Sequence, residues 1–321
     1  MLWYKTGRTN PKMNSGNLRE IEKEEITMKN PNANSDMIAR KYMDSLVIEE
    51  RVLGATHPDT EVTFLGETFA TPIMAGALSH LKNGMAEYAE GAREANAVCC
   101  IGMGDNETLD SCLKTGAKVI KVIKPYANRD EIFSRIQFAE EHGAFAIGLD
   151  GGHAIKSESA EFDTIVGCPM KLPTLDEFRE YISATKLPFF LKDILSVRDA
   201  VLAKELGAAG VIIGHHHDLM HWATPPVMLL PEIRKAVGDD FILIADGGID
   251  DGFDAFKALA MGADMVCTGR SLMDPYMKDG AKGVAQKIRT MTDELQSMMY
   301  RTNAANVKSI DPGVIHQAWW L

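Results

Sequence analysis

The sequence predicts an α/β protein folded as a single TIM barrel of the (β/α)8 type, and three observations predict it. From Val62 onward, short apolar runs alternate with amphipathic segments of helical period, the pattern expected of a parallel sheet with crossover helices. The runs number eight. The helical segments DEIFSRIQFAEEHG, SVRDAVLAKELG and DAFKALAMG each close on a glycine, which the helix C′ position favours. No GxGxxG turn follows an early run, which argues against a doubly wound open sheet.

Taken in order, residues 1–35 are polar, rich in Asn, Lys and Glu, and read as an N-terminal arm, leaving 36–321 for the barrel. MIARKYMDSL then has a helical pattern. The eight strands are expected to end at Ala77 (PIMAGA), Gly102 (VCCIG), Tyr126 (VIKVIKPY), Asp150 (FAIGLD), Lys192 (PFFLK), His216 (VIIGHH), Gly248 (ILIADGG) and Arg270 (MVCTGR). The long connection GGHAIKSESAEFDTIVGCPMKLP, before a helix at Thr174, places a lid after strand four. The C-terminal helix AKGVAQKIRTMTDELQSMMY is apolar on one side, so Met298 and Met299 should pack. Trp319 and Trp320 should either dock on the barrel or fill a subunit interface.

Composition bounds the function. A chain of 321 residues, 45% hydrophobic and 25% charged, suits a soluble globular enzyme with a sizeable core. The net charge of −11 argues against nucleic-acid or anionic-membrane partners, which want basic patches. Five cysteines without CxxC spacing point to reduced thiols and a cytoplasmic protein. Neither a signal-peptide core nor a membrane-length apolar stretch is visible.

Catalytic groups of such barrels lie at the C-terminal strand ends, so Tyr126, Asp150, Lys192, His216, Asp246 and Arg270 form the candidate set. Lys192, after an apolar strand, could stabilise an anion or form a Schiff base; its structural alternative is an ion pair with Asp193. His216 is suited to take a proton near neutral pH, with Asp150 orienting it. Strand alternation would turn His215 away and send His217 and Asp218 into the loop. His221 is close, but the histidine spacing matches no metal motif, and no metal is assigned. Gly247, Gly248 and Gly269 bring backbone amides to two neighbouring strand ends, and Arg270 adds a bidentate donor. The set suits a phosphate; the alternative is that these glycines only turn the chain.

These residues resemble the FMN-dependent 2-hydroxy-acid oxidase and dehydrogenase family, the group of glycolate oxidase and lactate oxidase. The likeness runs from about Tyr42 to Ile310 and is strongest in LPFFLKDILSVRDAVLAKELGAAGVII and IADGGIDDGFDAFKALAMGADMVCTGR. It implies FMN at the barrel mouth, reduced by a 2-hydroxy acid and reoxidised by oxygen or another acceptor. It also implies Lys192 beside the flavin, His216 as the base, Asp150 as the partner of that histidine and Tyr126 at the substrate oxygen. Asp246, Gly247, Gly248, Gly269 and Arg270 would serve the cofactor, and Pro72, Ala75, Gly76 and Ala77 would run along its ring. Lys124 stands where the family has glutamine and would take over its flavin contact. The family's arginine after the catalytic histidine is replaced by His217, Asp218 and Leu219, and its second substrate arginine has only Lys156 near its place. Asp250 and Asp251 replace the arginine after the glycine turn. A small-molecule substrate and a homo-oligomer, a tetramer, follow from the same likeness. The alternatives are an FMN-dependent isomerase resembling type 2 isopentenyl diphosphate isomerase, a Schiff-base lyase using Lys192, and a non-enzymatic flavin carrier.

Overall fold

The computed structural model describes residues 31–79, 81, 84–216 and 219–319. Most of the polar arm lies outside them, as do His217, Asp218 and Trp320. Eight strands close a barrel: β1 (Ile73–Leu78), β2 (Cys99–Ile101), β3 (Val119–Ile123), β4 (Ala146–Asp150), β5 (Phe189–Lys192), β6 (Gly210–Ile213), β7 (Ile242–Asp246) and β8 (Met265–Thr268). Each is parallel to both neighbours, with β8 hydrogen-bonded back to β1. Apart from Lys121 in β3 and the polar residues that close β4, β5, β7 and β8, the strands are apolar because both faces are covered, one by helices and one by the barrel interior.

Inside, Met74, Cys100, Ile120, Phe190, Ile212, Ile244 and Met265 fill the lumen. A hairpin of Val62–Phe64 and Glu67–Phe69 carries Phe64 against Phe190 at 6.2 Å, in the same inner cluster. Packed from within, the barrel leaves its C-terminal mouth as the place for chemistry.

Helices surround the barrel: α1 (Ser35–Ser45), α2 (Met85–Glu94), α3 (Asn106–Leu113), α4 (Arg129–Glu141), α5 (Leu175–Ser183), α6 (Val197–Glu205), α7 (Pro226–Val237), α8 (Gly252–Ala260) and α9 (Met273–Arg301). Six of these starts are capped by side chains that accept from first-turn amides, as at Asn34, Ser196 and Asp251; α2, α7 and α9 have no such cap. Gly143, Gly207 and Gly262 have positive φ just past α4, α6 and α8, as the three closing glycines required. Arg40 of α1 grips the buried Asp254 of α8 bidentately, at 2.6 and 2.9 Å, and so fixes α1 beside the barrel mouth.

Five strand ends come earlier than the apolar runs suggest, β2 at Ile101 and β7 at Asp246 among them. β3 stops at Ile123, because Pro125 has no N–H for a ladder, and Tyr126 pairs instead with Met170. β6 stops at Ile213, before Gly214, which leaves His216 on a loop. β8 stops at Thr268, and Arg270 opens a 3-10 turn. The connection after β4 contains a small hairpin, Thr164–Ile165 with Cys168–Pro169. Met299 is fully buried and Met298 packs on the core. Trp319 does not dock: it is 80% exposed.

Gly210 is where β6 comes closest to its neighbours. An added Cβ would sit 2.3 Å from the Ile242 carbonyl oxygen and 2.9 Å from the Phe190 ring. Gly210→Ala should therefore destabilise the barrel by about 1–3 kcal/mol in urea unfolding, and a loss below about 0.5 kcal/mol would contradict this packing.

Candidate active site

Register sets the site. Lys192 lies opposite Asp150 across the β4–β5 ladder, so two ionisable side chains emerge together at the mouth. Lys124, one residue beyond β3, reaches the same point, and Asp193 follows β5 with a left-handed backbone at φ 65. All four side chains are buried. Lys124 Nζ hydrogen-bonds Asp150, and Lys192 Nζ hydrogen-bonds Asp193. Lys192 also stands 3.9 Å from Asp150.

Two histidines complete the cluster. Lys124 Nζ is 2.8 Å from His153 Nδ1 and 2.8 Å from His216 Nε2. The other nitrogen of His216, Nδ1, lies 3.1 Å from Asp193 and 3.2 Å from Lys192. Asp150, His153 and His216 each aim one ligand atom at a common point, within 4.8 Å of one another. The Lys124 ammonium stands at that point, so the three hold a lysine cation rather than serving here as metal ligands.

The electrostatics follow from burial and pairing. Burial opposes the charge on Lys192, but Asp150, Asp193 and Asp246 outweigh it and hold the ammonium well above its usual range. Burial also opposes ionisation of Asp150, yet Lys192, His216 and Lys124 keep its carboxyl well below the usual carboxylate range. Lys124 is lowered, by burial first and then by Lys192 against the pull of Asp150. Burial and the adjacent Lys124 push His153 down to about 3, so its ring is neutral at pH 7.

A cavity of about 90 Å3 runs from Lys192 and His216 to the glycine turns, lined by Gly76, Ala77, Asp246, Gly247, Gly248, Gly269 and Arg270. Gly247 and Gly248 have φ of 98 and 75, which side-chain-bearing residues rarely adopt. Arg270 is held bidentately by Asp36 at 2.7 and 3.1 Å. A second cavity of about 590 Å3, bordered by Arg40, Lys41 and Ser271, shares Asp36, Gly248, Asp250 and Arg270 with the first. The two meet at the Asp36–Arg270 pair, and together they fall in the size range of cofactor pockets.

Most of the residues singled out from the sequence converge here; Lys124 joins the ion cluster instead of the cavity lining, held by Asp150, and four lie elsewhere. Tyr126 is buried under the Arg135 guanidinium, 5.0 Å from its ring, and does not line the cavity. Lys156 sits on the surface, paired with Glu161 at 2.6 Å. Pro72 and Ala75 are buried in the barrel wall rather than in the cavity lining. His215 also lines the cavity, 3.9 Å from Asp36, because the strand ends at Ile213 and alternation no longer governs its direction. His153 and Asp36 went unnoticed in sequence. His153 carried a weak signal, three residues past Asp150 in a glycine turn; Asp36 carried none.

The profile of the FMN-dependent dehydrogenase family matches residues 32–157 and 154–317. An L-lactate oxidase of Alicycliphilus denitrificans is 36% identical over 145 residues, 45% of this chain and 40% of that protein. A glycolate oxidase of Spinacia oleracea is 24% identical over 320 residues, 87% of each. The chain spans less than half the length of the L-lactate oxidases of Alicycliphilus and Roseobacter that it matches, 40% and 44%. Among solved structures, a lactate oxidase from Pediococcus acidilactici superposes with a TM-score of 0.81 at 20% identity, covering 88% of this chain and 86% of that one. A mandelate oxidase gives 0.79 at 22% identity, covering 89% and 92%. At those identities the likeness is one of fold.

The buried charges stand or fall together. Asp150→Asn leaves the Lys124 ammonium without a carboxylate and should destabilise the protein by about 3 kcal/mol at pH 7 in chemical unfolding. Because the folded-state pKa of Asp150 is depressed, its contribution is present above the unfolded value near ~4 and is lost as pH falls further. The gap between parent and variant should therefore narrow below about pH 4. A variant as stable as the parent at pH 7 contradicts the ion cluster.

Proposed function

The chain belongs to the FMN-dependent dehydrogenase family, and from that premise we propose that it oxidises a 2-hydroxy acid, or a related hydroxy or amino compound, with FMN as its cofactor and oxygen or another acceptor reoxidising it. One observation carries the proposal. A single cavity joins a buried, charged lysine and a histidine to a glycine-lined end with an arginine fork. That donor set fits FMN: Lys192 supplies positive charge at one end, and the amides of Gly247, Gly248 and Gly269 with Arg270 offer the phosphate its donors at the other. Gly76 and Ala77 line the wall between them. FMN, when bound, supplies the two-electron acceptor.

The side chains then divide the work. His216 lines the cavity and takes the hydroxyl proton. Asp150 holds Lys124 and lies 3.4 Å from His216 Nε2, which fixes the ring from behind. Lys192 keeps its charge because three carboxylates surround it, so it stabilises negative charge developing in the cavity. The same charge weighs against a Schiff-base lyase, since an ammonium has no lone pair for attack on a carbonyl. The isomerase reading is set aside because the relatives named above are oxidases. A homo-oligomer and a cytoplasmic location belong to this proposal; the exposed Trp319 and the free cysteines support them.

FMN-loaded protein mixed anaerobically with a panel of 2-hydroxy acids should lose its flavin colour with at least one of them. His216→Ala should slow that bleaching by about 100-fold or more. Failure to take up FMN, or no bleaching by any member of the panel, contradicts the function; equal bleaching by the variant contradicts the role of His216. At the phosphate end, Arg270→Gln should weaken FMN binding about tenfold in a fluorescence titration, the loss of a charged hydrogen bond. Asp36→Asn, which frees that arginine, should strengthen it. The opposite order would remove Arg270 from the phosphate site.

A further inference from the structure

His216 must lose the proton it takes before it can act again, and the cavity that admits substrate does not provide its only polar contacts. Its Nε2 points away from Lys192, toward Lys124 Nζ at 2.8 Å; Lys124 continues to His153 Nδ1 at 2.8 Å; His153 Nε2 faces Asp163 at 3.8 Å. Side-chain exposure dips from 24% at His216 to 6% at Lys124, then rises to 20% at His153 and 28% at Asp163. Neither Lys124 nor His153 nor Asp163 lines the substrate cavity. We propose that Lys124 and His153 form a proton exit that carries the proton of His216 to the Asp163 carboxylate and so to solvent. The inference rests on the oxidation proposed above, which loads His216 with that proton.

The transfers balance. The proposed relay starts from Lys124 as an ammonium donating to His153 Nδ1, with one proton on each imidazole. When His216 gains a proton, an imidazolium stands 2.8 Å from an ammonium, and the repulsion favours deprotonation of the lysine. The Lys124 N–H bond toward His153 breaks as a bond forms at His153 Nδ1. In the same movement the proton on His153 Nε2 passes to Asp163, through a small swing of that carboxylate or a bridging water. The Lys124 amine then takes the Nε2 proton of His216. Lysine is again an ammonium and one proton has moved from His216 to Asp163; each imidazole, now protonated on its other nitrogen, turns its ring over to restore the starting tautomer before the next cycle.

Proton affinities along the line suit conduction rather than storage. Burial lowers Lys124, and burial with Lys124 pushes His153 down to about 3, so neither retains an extra proton. The remaining charged groups at the cluster, Asp150, Lys192 and Asp193, are already paired with one another or with Lys124. His153 and His216 are also close in space, with ring centroids 4.3 Å apart.

The test separates turnover from the first reduction. With ferricyanide, which takes up electrons and no proton, every cycle must discharge His216 to water. His153→Gln keeps an acceptor for Lys124 but cannot pass a proton through itself. It should lower kcat with ferricyanide about tenfold or more, far more than it slows the first anaerobic bleaching. His153→Ala should lose turnover likewise and regain it when imidazole is added. A Gln variant that turns over like the parent, a loss shared equally by first bleaching and turnover, or an Ala variant untouched by imidazole overturns the relay. If the parent itself takes no electrons from any 2-hydroxy acid, the oxidation fails, and the relay falls with it.

Discussion

The site depends on one constraint: four charged side chains, Lys124, Asp150, Lys192 and Asp193, are buried side by side at the mouth of a closed barrel. An ion stripped of water at such a depth is costly, and only an opposite charge with good hydrogen-bond geometry offsets the loss. Two lysines and two aspartates meet that condition as a group. The register of β4 against β5 puts Asp150 beside Lys192, and the left-handed turn at Asp193 brings the second carboxylate over the same lysine. His216 and His153 take the remaining donors, so both histidines are oriented by the same ions that form the cluster.

That constraint shapes what the protein does with its family's framework. A lysine where relatives of this type are expected to carry glutamine adds a cation behind the histidine, and Asp150 spends its charge on that lysine as well as on His216. The phosphate end changes in the opposite sense. Asp250 and Asp251 replace an expected arginine, and Asp36 occupies the fork of Arg270. Carboxylates thus stand at both ends of the cavity, and in the proposed phosphate site the glycine amides would carry more of the anion binding.

Much of this was legible in sequence, for physical reasons. Strands covered on both faces must be apolar, and helices that pack on them must repeat every 3.6 residues, so the eight-unit barrel could be counted directly. Lys192 and Asp150 stood out because charged residues closing apolar strands emerge at the mouth. Tyr126 did not follow, since the proline before it ends β3 early and the ring is taken up by Arg135. Lys156 lies on the loop after β4, whose hairpin carries it to the surface. Asp36 reaches Arg270 across 234 positions of chain, a meeting that no local pattern encodes. His153 is intermediate, near Asp150 in sequence but assigned a role only once Lys124 is seen between the two histidines.

The central claim is that this cluster removes hydrogen from the hydroxyl-bearing carbon of a substrate and delivers its electrons to FMN. It is tested most directly by mixing FMN-loaded protein, without oxygen, with a 2-hydroxy acid carrying either hydrogen or deuterium at C2, and following the flavin absorbance. The account predicts bleaching by both and a slower rate with deuterium, because that bond breaks as the flavin is reduced. Flavin that keeps its colour, or that bleaches without breaking the C2 bond, as shown by label retained in the product, would contradict it.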